Sequence, residues 1–172
     1  TSFEAKGSTF ATVDETRILH TDDHWFRPVD ITTGPDGGVY IADWYDSRLS
    51  HVDPRDTWSK GTGRIYRLRN RNTSPAVEPF DISAYSNEDL IKLLSNPGRW
   101  YKQQALLEFG NRKDGSLVPR LIQLLNAKNG QTSLEAYWAI ALSGGFSDTV
   151  AIAGIHHENP FVRMWAVRLL GD

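Results

Sequence analysis

The chain has 172 residues, of which 40% are hydrophobic, 23% charged and 11% aromatic, and its formal net charge is −2. These values are ordinary for a globular protein, and the weakly acidic balance argues against the basic surface expected of a nucleic-acid binder. The lack of cysteine excludes disulfides, thiolate metal sites, cysteine nucleophiles and covalent c-type haem attachment within these residues. The sequence contains no apolar run of about 18 residues, so no membrane-spanning helix is predicted.

A β-sheet unit is predicted for the first part of the chain. Residues 29–33 and 39–43 alternate apolar and polar side chains, as strands do when one sheet face is covered. Residues 34–38 between them are Gly-Pro-Asp-Gly-Gly, which predicts a hairpin turn in which Asp bonds the neighbouring backbone and Gly adopts positive φ. Another strand is predicted over residues 63–68, and a fourth within 9–19.

A helical region is predicted to follow a linker rich in Asn, Arg, Ser and Pro at residues 70–79. Each predicted helix has a start signal, such as a capping hydroxyl or an Asn-Pro pair, followed by an apolar stripe. The starts lie near Ser86, Gly98, Ser116, Thr132, Ser147 and Asn159.

The helices repeat. Residues 105–110, 139–144 and 166–171 share the pattern Ala, apolar, three variable residues, Gly. We interpret this as stacked helical hairpins in which Ala allows close helix approach and Gly ends the helix in the left-handed region. No distinctly polar capping helix is recognisable, so further repeats are expected to follow. Three tryptophans in the second helices are expected to pack in the core: Trp100, Trp138 and Trp165.

Five ordered motifs mark the β region: Trp-Phe-Arg-Pro-Val-Asp at 25–30, Gly-Pro-Asp-Gly at 34–37, Ala-Asp-Trp-Tyr-Asp at 42–46, His-Val-Asp-Pro-Arg-Asp at 51–56 and Gly-Arg-Ile-Tyr at 63–66. Together they resemble the closing propeller blade of the planctomycete-type membrane-bound dehydrogenase family. The resemblance implies a propeller similar to that of soluble quinoprotein glucose and sorbosone dehydrogenases, followed by HEAT-type repeats and often by a cytochrome c domain.

The expected fold class is therefore β then α, an antiparallel sheet unit that is part of a propeller blade followed by an α-solenoid of HEAT-like hairpins. The expected organisation is a blade segment over 1–72, a linker over 73–85 and about three helix pairs over 86–172. A closed propeller needs about four blades or more, and this chain has strands for one. We therefore expect a piece of a larger protein, in which other blades or the helices cover the apolar faces of the sheet.

The candidate site residues lie in the β region. Charged groups beside strands need partners, so Arg27, Asp30 and Asp43 are expected either to form a salt bridge that fixes strand or blade register, or to act in a site. In the second alternative Arg27 binds a quinone carboxylate or a substrate anion, and His51 is a general base for a sugar alcohol. The catalytic candidate is His51, and the cofactor-binding candidates are Arg27, Asp30, Asp43, Trp44 and Tyr45.

A metal site is left open. Residues 20–24, His-Thr-Asp-Asp-His, carry oxygen and nitrogen ligands for a divalent ion, but a solvated loop held by turn hydrogen bonds is the better interpretation of this composition. His156 and His157 have no ligand partner at helical spacing and are expected at the end of a short helix. Phosphate-loop, nucleophile-elbow and zinc-protease motifs are absent from the sequence.

Two functions are considered. The first is a mainly structural and interaction segment of a protein resembling quinone-dependent sugar or alcohol dehydrogenases, with the isolated segment inactive. The second is a protein–protein interaction scaffold without catalysis. The resemblance implies pyrroloquinoline quinone (PQQ) and calcium in the parent protein, haem c only in a separate downstream domain, and a periplasmic, secreted or cell-envelope location.

Expected partners are other blades and domains of the same parent protein and a protein bound on the HEAT-like surface. Nucleic acid is not expected, because a local group of basic residues is interpreted as solvated side chains at a strand end. That group consists of Arg64, Arg67, Arg69 and Arg71.

Overall fold

The structure, a computed structural model, describes residues 2–6, 9–17, 19–48, 54–70, 78–127 and 130–171. Five strands precede six α-helices in these residues, so the predicted fold class, β then α, is confirmed. The chain forms two compact units. The first consists of Thr1–Ile31 and Tyr40–Arg67, and the second of Thr32–Val39 and Leu68–Asp172.

Strands β1 (Ser2–Lys6) and β2 (Thr9–Val13) pair antiparallel in a sheet of their own, with Phe3 opposite Thr12. The strand predicted within residues 9–19 is confirmed as β2, whereas β1 was not predicted from the sequence. Pairing with the strand nearest in sequence closes a short loop, which costs less chain entropy than pairing with a distant strand.

The main sheet contains β3 (Pro28–Thr33), β4 (Val39–Asp43) and β5 (Arg64–Leu68) in that spatial order. The turn between β3 and β4 has the predicted chemistry. The amide of Gly34 donates to the carbonyl of Gly38 over 2.8 Å, and Asp36 Oδ1 accepts from the Gly38 amide at 3.1 Å. Gly37 has φ +71°, a conformation that a side chain would disfavour.

The helices are α1 (Asn87–Leu93), α2 (Arg99–Arg112), α3 (Val118–Leu125), α4 (Gly130–Leu142), α5 (Asp148–Ile155) and α6 (Pro160–Gly171). Two of the predicted caps are confirmed, since Ser86 Oγ accepts from the Asp89 amide at the start of α1 and Asn159 Oδ1 accepts from the Phe161 amide at the start of α6. At the start of α5, Ser147 Oγ also accepts from the Val150 amide. These bonds satisfy amides that have no partner within the helix.

The predicted start of α4 is wrong. Thr132 and Ser133 lie inside the helix and are buried, because α4 begins at Gly130. Of the seven α4 residues 131–137, six are buried, so this helix is enclosed on most sides. Its sequence therefore shows no clear division between an apolar and a polar face.

The repeat glycines also differ from one another. Gly144 has φ +76° after α4, as predicted, but Gly110 lies within α2 and does not end it. Helix α2 continues to Arg112, and Lys113 takes the left-handed conformation instead with φ +48°. The Lys113 amide donates to the carbonyl of Phe109 over 3.0 Å, which supplies the terminal bond that Gly110 was expected to support.

The helical core lies where α2, α4 and α6 pack in succession, with α3 against α4 and α5 against α6. The three repeat alanines, Ala105, Ala139 and Ala166, are fully buried, as close helix approach requires. The three tryptophans are half-buried and pack against this core, with Trp138 and Trp165 edge to face at 5.1 Å between centroids. Among the described helices, none has the length and apolar character needed to cross a membrane.

Candidate functional site

The loop that follows β4 contains most of the candidate residues, and Asp43 is at its centre. This side chain is only 3% exposed, and its Oδ1 accepts from the amides of Arg27 at 2.7 Å and Tyr45 at 3.0 Å. The amide of Trp44 returns a bond to the carbonyl of Arg27 over 2.9 Å. The carboxylate thus joins the segment before β3 to the end of β4 through backbone groups.

Arg27 forms no inter-strand salt bridge within the described residues. Within the described residues, no carboxylate lies within ion-pair distance of its guanidinium, whose Nη1 donates to the carbonyl of Phe26 at 2.9 Å. The buried Arg27 Nε and Asp43 Oδ2 have no hydrogen-bond partner among these residues. Asp30 lies apart from them on exposed β3, and its Oδ1 accepts from the adjacent Ile31 amide.

Asp46 is a second buried carboxylate, and it closes the loop. Its Oδ1 accepts from the Arg48 amide at 2.9 Å and its Oδ2 from the Ser59 amide at 2.7 Å. These two amides, that of Arg48 first, hold the pKa of Asp46 below its usual value because they stabilise the charged form. The Thr62 hydroxyl donates to the Tyr45 carbonyl at 2.9 Å and so joins the two ends of the loop between β4 and β5.

Aromatic rings and arginines cover this loop. The Arg64 guanidinium stacks 3.3 Å from the centroid of Tyr45, whose ring also lies 5.8 Å from that of Trp25. Tyr45 has φ +48°, an unfavourable conformation for a residue with a large side chain. The bond from its amide to Asp43 and the stacked Arg64 hold it there, so the loop contains local backbone strain.

A pocket of about 560 Å³ opens beside the loop, within the first unit. Its lining includes apolar strand residues, two tryptophans and two cationic side chains. Its lining consists of Val29, Ala42, Asp43, Trp44, Trp58, Ser59, Lys60, Gly63, Arg64 and Ile65. Trp44 and Trp58 meet edge to face at 5.8 Å between centroids, and half of the Trp44 surface is exposed.

The structure therefore brings together Arg27, Asp43, Trp44 and Tyr45, and leaves Asp30 outside the group. His51, the catalytic candidate, lies outside the described residues. In the residue ranges given above, no group of three or more His, Asp or Glu side chains is placed to hold a metal ion. His20 Nε2 lies 3.8 Å from Asp22 Oδ1 in an exposed pair.

Sequence reasoning missed two anchoring residues. Asp46 is the last residue of the Ala-Asp-Trp-Tyr-Asp motif, but no spacing rule pairs it with Ser59, thirteen residues away. His157 joins the α5–α6 connection to the end of α3, because its Nε2 lies 3.1 Å from the Leu125 carbonyl and its Nδ1 accepts from the Asn159 amide at 3.0 Å. Its position beside an Asn-Pro helix start was the only available signal.

One family model, described as a domain of unknown function (DUF7133), matches residues 1–72. This range contains all five strands described above. No curated protein matches the chain, and no solved structure matches it.

Proposed function

We propose that this chain is a structural and interaction segment of a larger propeller- and HEAT-type protein resembling quinone-dependent sugar or alcohol dehydrogenases. The observation that supports this proposal best is the open apolar face of the main sheet. Val29, Ile31 and Ile65 are 63–76% exposed. Val29 and Ile65 line the same pocket, and Ile31 shares the face of Val29 by strand alternation.

An exposed apolar sheet face favours association with another sheet. Fully burying one such side chain contributes about 1.5–3 kcal/mol. Among the described strands, β3 and β5 form the edges of this sheet, and edge strands present outer backbone groups that can pair with another strand. We therefore propose a neighbouring β-sheet, such as an adjacent blade, as the partner of this face.

The polar candidates support a structural role as well. One oxygen of Asp43 and both oxygens of Asp46 accept backbone amides of the same unit, and these bonds hold the loop in shape. The pKa of Asp46 is lowered because its amide partners stabilise the charged form, so this carboxylate is a weak proton acceptor. In this proposal the motif residues shape the edge of the sheet.

Self-association of the 172-residue chain tests the sheet face. We expect concentration-dependent association by light scattering, and its loss in Ile31→Lys. The matched control is Thr32→Lys, which places the same charge on the opposite face of the same exposed strand and should leave association unchanged. A chain that stays monomeric throughout, or equal effects of the two lysines, would contradict the proposal.

Catalysis in the parent protein is a separate part of the proposal, and it rests on the resemblance. A protein that carries this chain together with further blades should bind PQQ in the presence of calcium in a fluorescence titration. Absence of binding would remove the dehydrogenase function and favour the alternative, an interaction scaffold without catalytic activity.

A further inference from the structure

We propose that the outward face of α6 is a docking surface for an amphipathic helical hairpin of the same type as α5–α6. This α6 face consists of Phe161, Met164, Val167 and Leu170, which are 50–66% exposed. Met164 lies opposite Val162 and Ala166, the α6 residues that are buried in the helical core, and Val167 is one turn further along the same exposed stripe. It is a different surface from the sheet face, so either proposal can fail without the other.

The repeat register supports this inference. Aligning Ala139 with Ala166 places three α4 residues, Leu134, Tyr137 and Ile140, and Ser143 directly after α4 at the positions of the α6 face. All four of these residues are at most 6% exposed. The same register is therefore enclosed along α4 and open along α6, although the three α4 residues and all four α6 residues are apolar.

The residues that enclose α4 indicate what kind of partner would fit the exposed face of α6. Tyr137, which has the register of Met164, lies against Gly154 of α5 and close to Ala166 of α6, and its ring is 6.2 Å from that of Phe146. The following hairpin thus encloses α4 by presenting a glycine on its first helix and an alanine on its second. A second hairpin with these small residues would cover Met164 in the same way.

A helical hairpin cannot bury its apolar side alone, so stacked repeats depend on their neighbours. The α6 face presents one side of such an interface in the geometry that α4 already uses within this chain. That continuity favours a helical hairpin over an extended peptide or a sheet.

Thiol labelling tests the proposal, because the chain contains no cysteine and each introduced cysteine is the only one. The test protein is the full chain with a second copy of residues 144–171 joined to its end. The labelling rate of Val167→Cys should fall at least tenfold relative to the chain without the added copy. Arg168→Cys is the control and should change less than twofold, since its α4 equivalent, Ala141, is partly exposed.

A matched variant of the extended chain carries Gly154→Leu in the added copy only. The leucine side chain would occupy the space in which Met164 is expected to pack, and the added hairpin could then not dock. Rapid labelling at Val167→Cys should therefore return. Unchanged labelling in the extended chain would overturn the proposal, and so would an added copy that gains no helix by circular dichroism, because docking is what would fold it. Slow labelling of the original chain with a doubled mass in light scattering would also overturn it, by identifying a second copy as the occupant.

Discussion

The phenol ring of Tyr137 in α4 lies over Gly154 in α5, so closely that a Cβ on residue 154 would overlap the Tyr137 hydroxyl and Cζ. Such a Cβ would also lie 2.9 Å from Cβ of Ala166 in α6. The Tyr137 hydroxyl has no hydrogen-bond partner among the described residues, and burial raises the pKa of Tyr137. Three helices therefore meet at residue 154, and they can approach this closely because glycine has no side chain.

Gly154→Ala should lower the free energy of unfolding by about 1–3 kcal/mol, because the added methyl overpacks this contact. The effect opposes the better helix propensity of Ala. Urea unfolding followed by circular dichroism measures it. Gly171→Ala is the control, since nothing lies within 4 Å of its added Cβ, and it should be neutral or slightly stabilising. Adding Tyr137→Phe should recover part of the loss; equal effects of the two alanines would refute the contact.

Asp46→Asn should destabilise the loop after β4, because one amide donor would then face the NH₂ group of Asn. The folded pKa of Asp46 is lowered, so its contribution is complete above the unfolded pKa of about 3.9 and is lost as pH falls through the folded value. The stability difference between the wild type and Asp46→Asn should therefore shrink below about pH 4.

Tryptophan fluorescence in urea, recorded over this pH range, checks the prediction for Asp46. Asp30→Asn is the control, because Asp30 is exposed and bonds only its neighbouring amide. A stability difference between the wild type and Asp46→Asn that grows on acidification would contradict the predicted direction of the pH dependence.

Substitutions at Tyr45 should separate its ring contacts from its backbone strain. Tyr45→Asn and Tyr45→Val both remove the stacking with Arg64 and Trp25, but Asn tolerates the left-handed conformation and a β-branched residue does not. The Val variant should be less stable than the Asn variant by about 1–2 kcal/mol in thermal or urea unfolding. Equal stability of the two would argue against a left-handed Tyr45.

His157→Ala should cost about 1–3 kcal/mol, because it removes the link between the α5–α6 connection and the end of α3. His156→Ala is a matched control at the neighbouring position, where the side chain is exposed, and should change stability by less than about 0.5 kcal/mol. Urea unfolding of both variants is the measurement. A larger loss at His156 would contradict the contacts described.

Several local features could be predicted from the sequence because each depends on a few adjacent residues. The turn at 34–38 follows from the conformational limits of Pro, Asp and Gly, and the cap at Ser86 follows from a hydroxyl three residues before an available amide. The burial of Ala105, Ala139 and Ala166 follows from their repeat. In each case the partner atoms lie within one turn or one repeat.

The failures concern partners that are distant in sequence. Asp43 was expected either to take part in a salt bridge or to act in a site, and neither alternative predicted its hydrogen bond with the backbone amide of Arg27, sixteen residues away. The start of α4 was expected near Thr132, but the helix begins at Gly130, and Thr132 and Ser133 are buried within it. Neither outcome has a signal at the spacing of a turn or helix.

The sequence by itself therefore determined the order of β and α elements, the hairpin turn, two helix caps and the repeated alanines, since short-range steric limits and amide bonds decide them. Only the tertiary structure decided the separate β1–β2 sheet, the amide partners of Asp43 and Asp46, and the contrast between enclosed α4 and open α6. These features depend on which distant surfaces meet, and that choice is made by the packing of the folded chain.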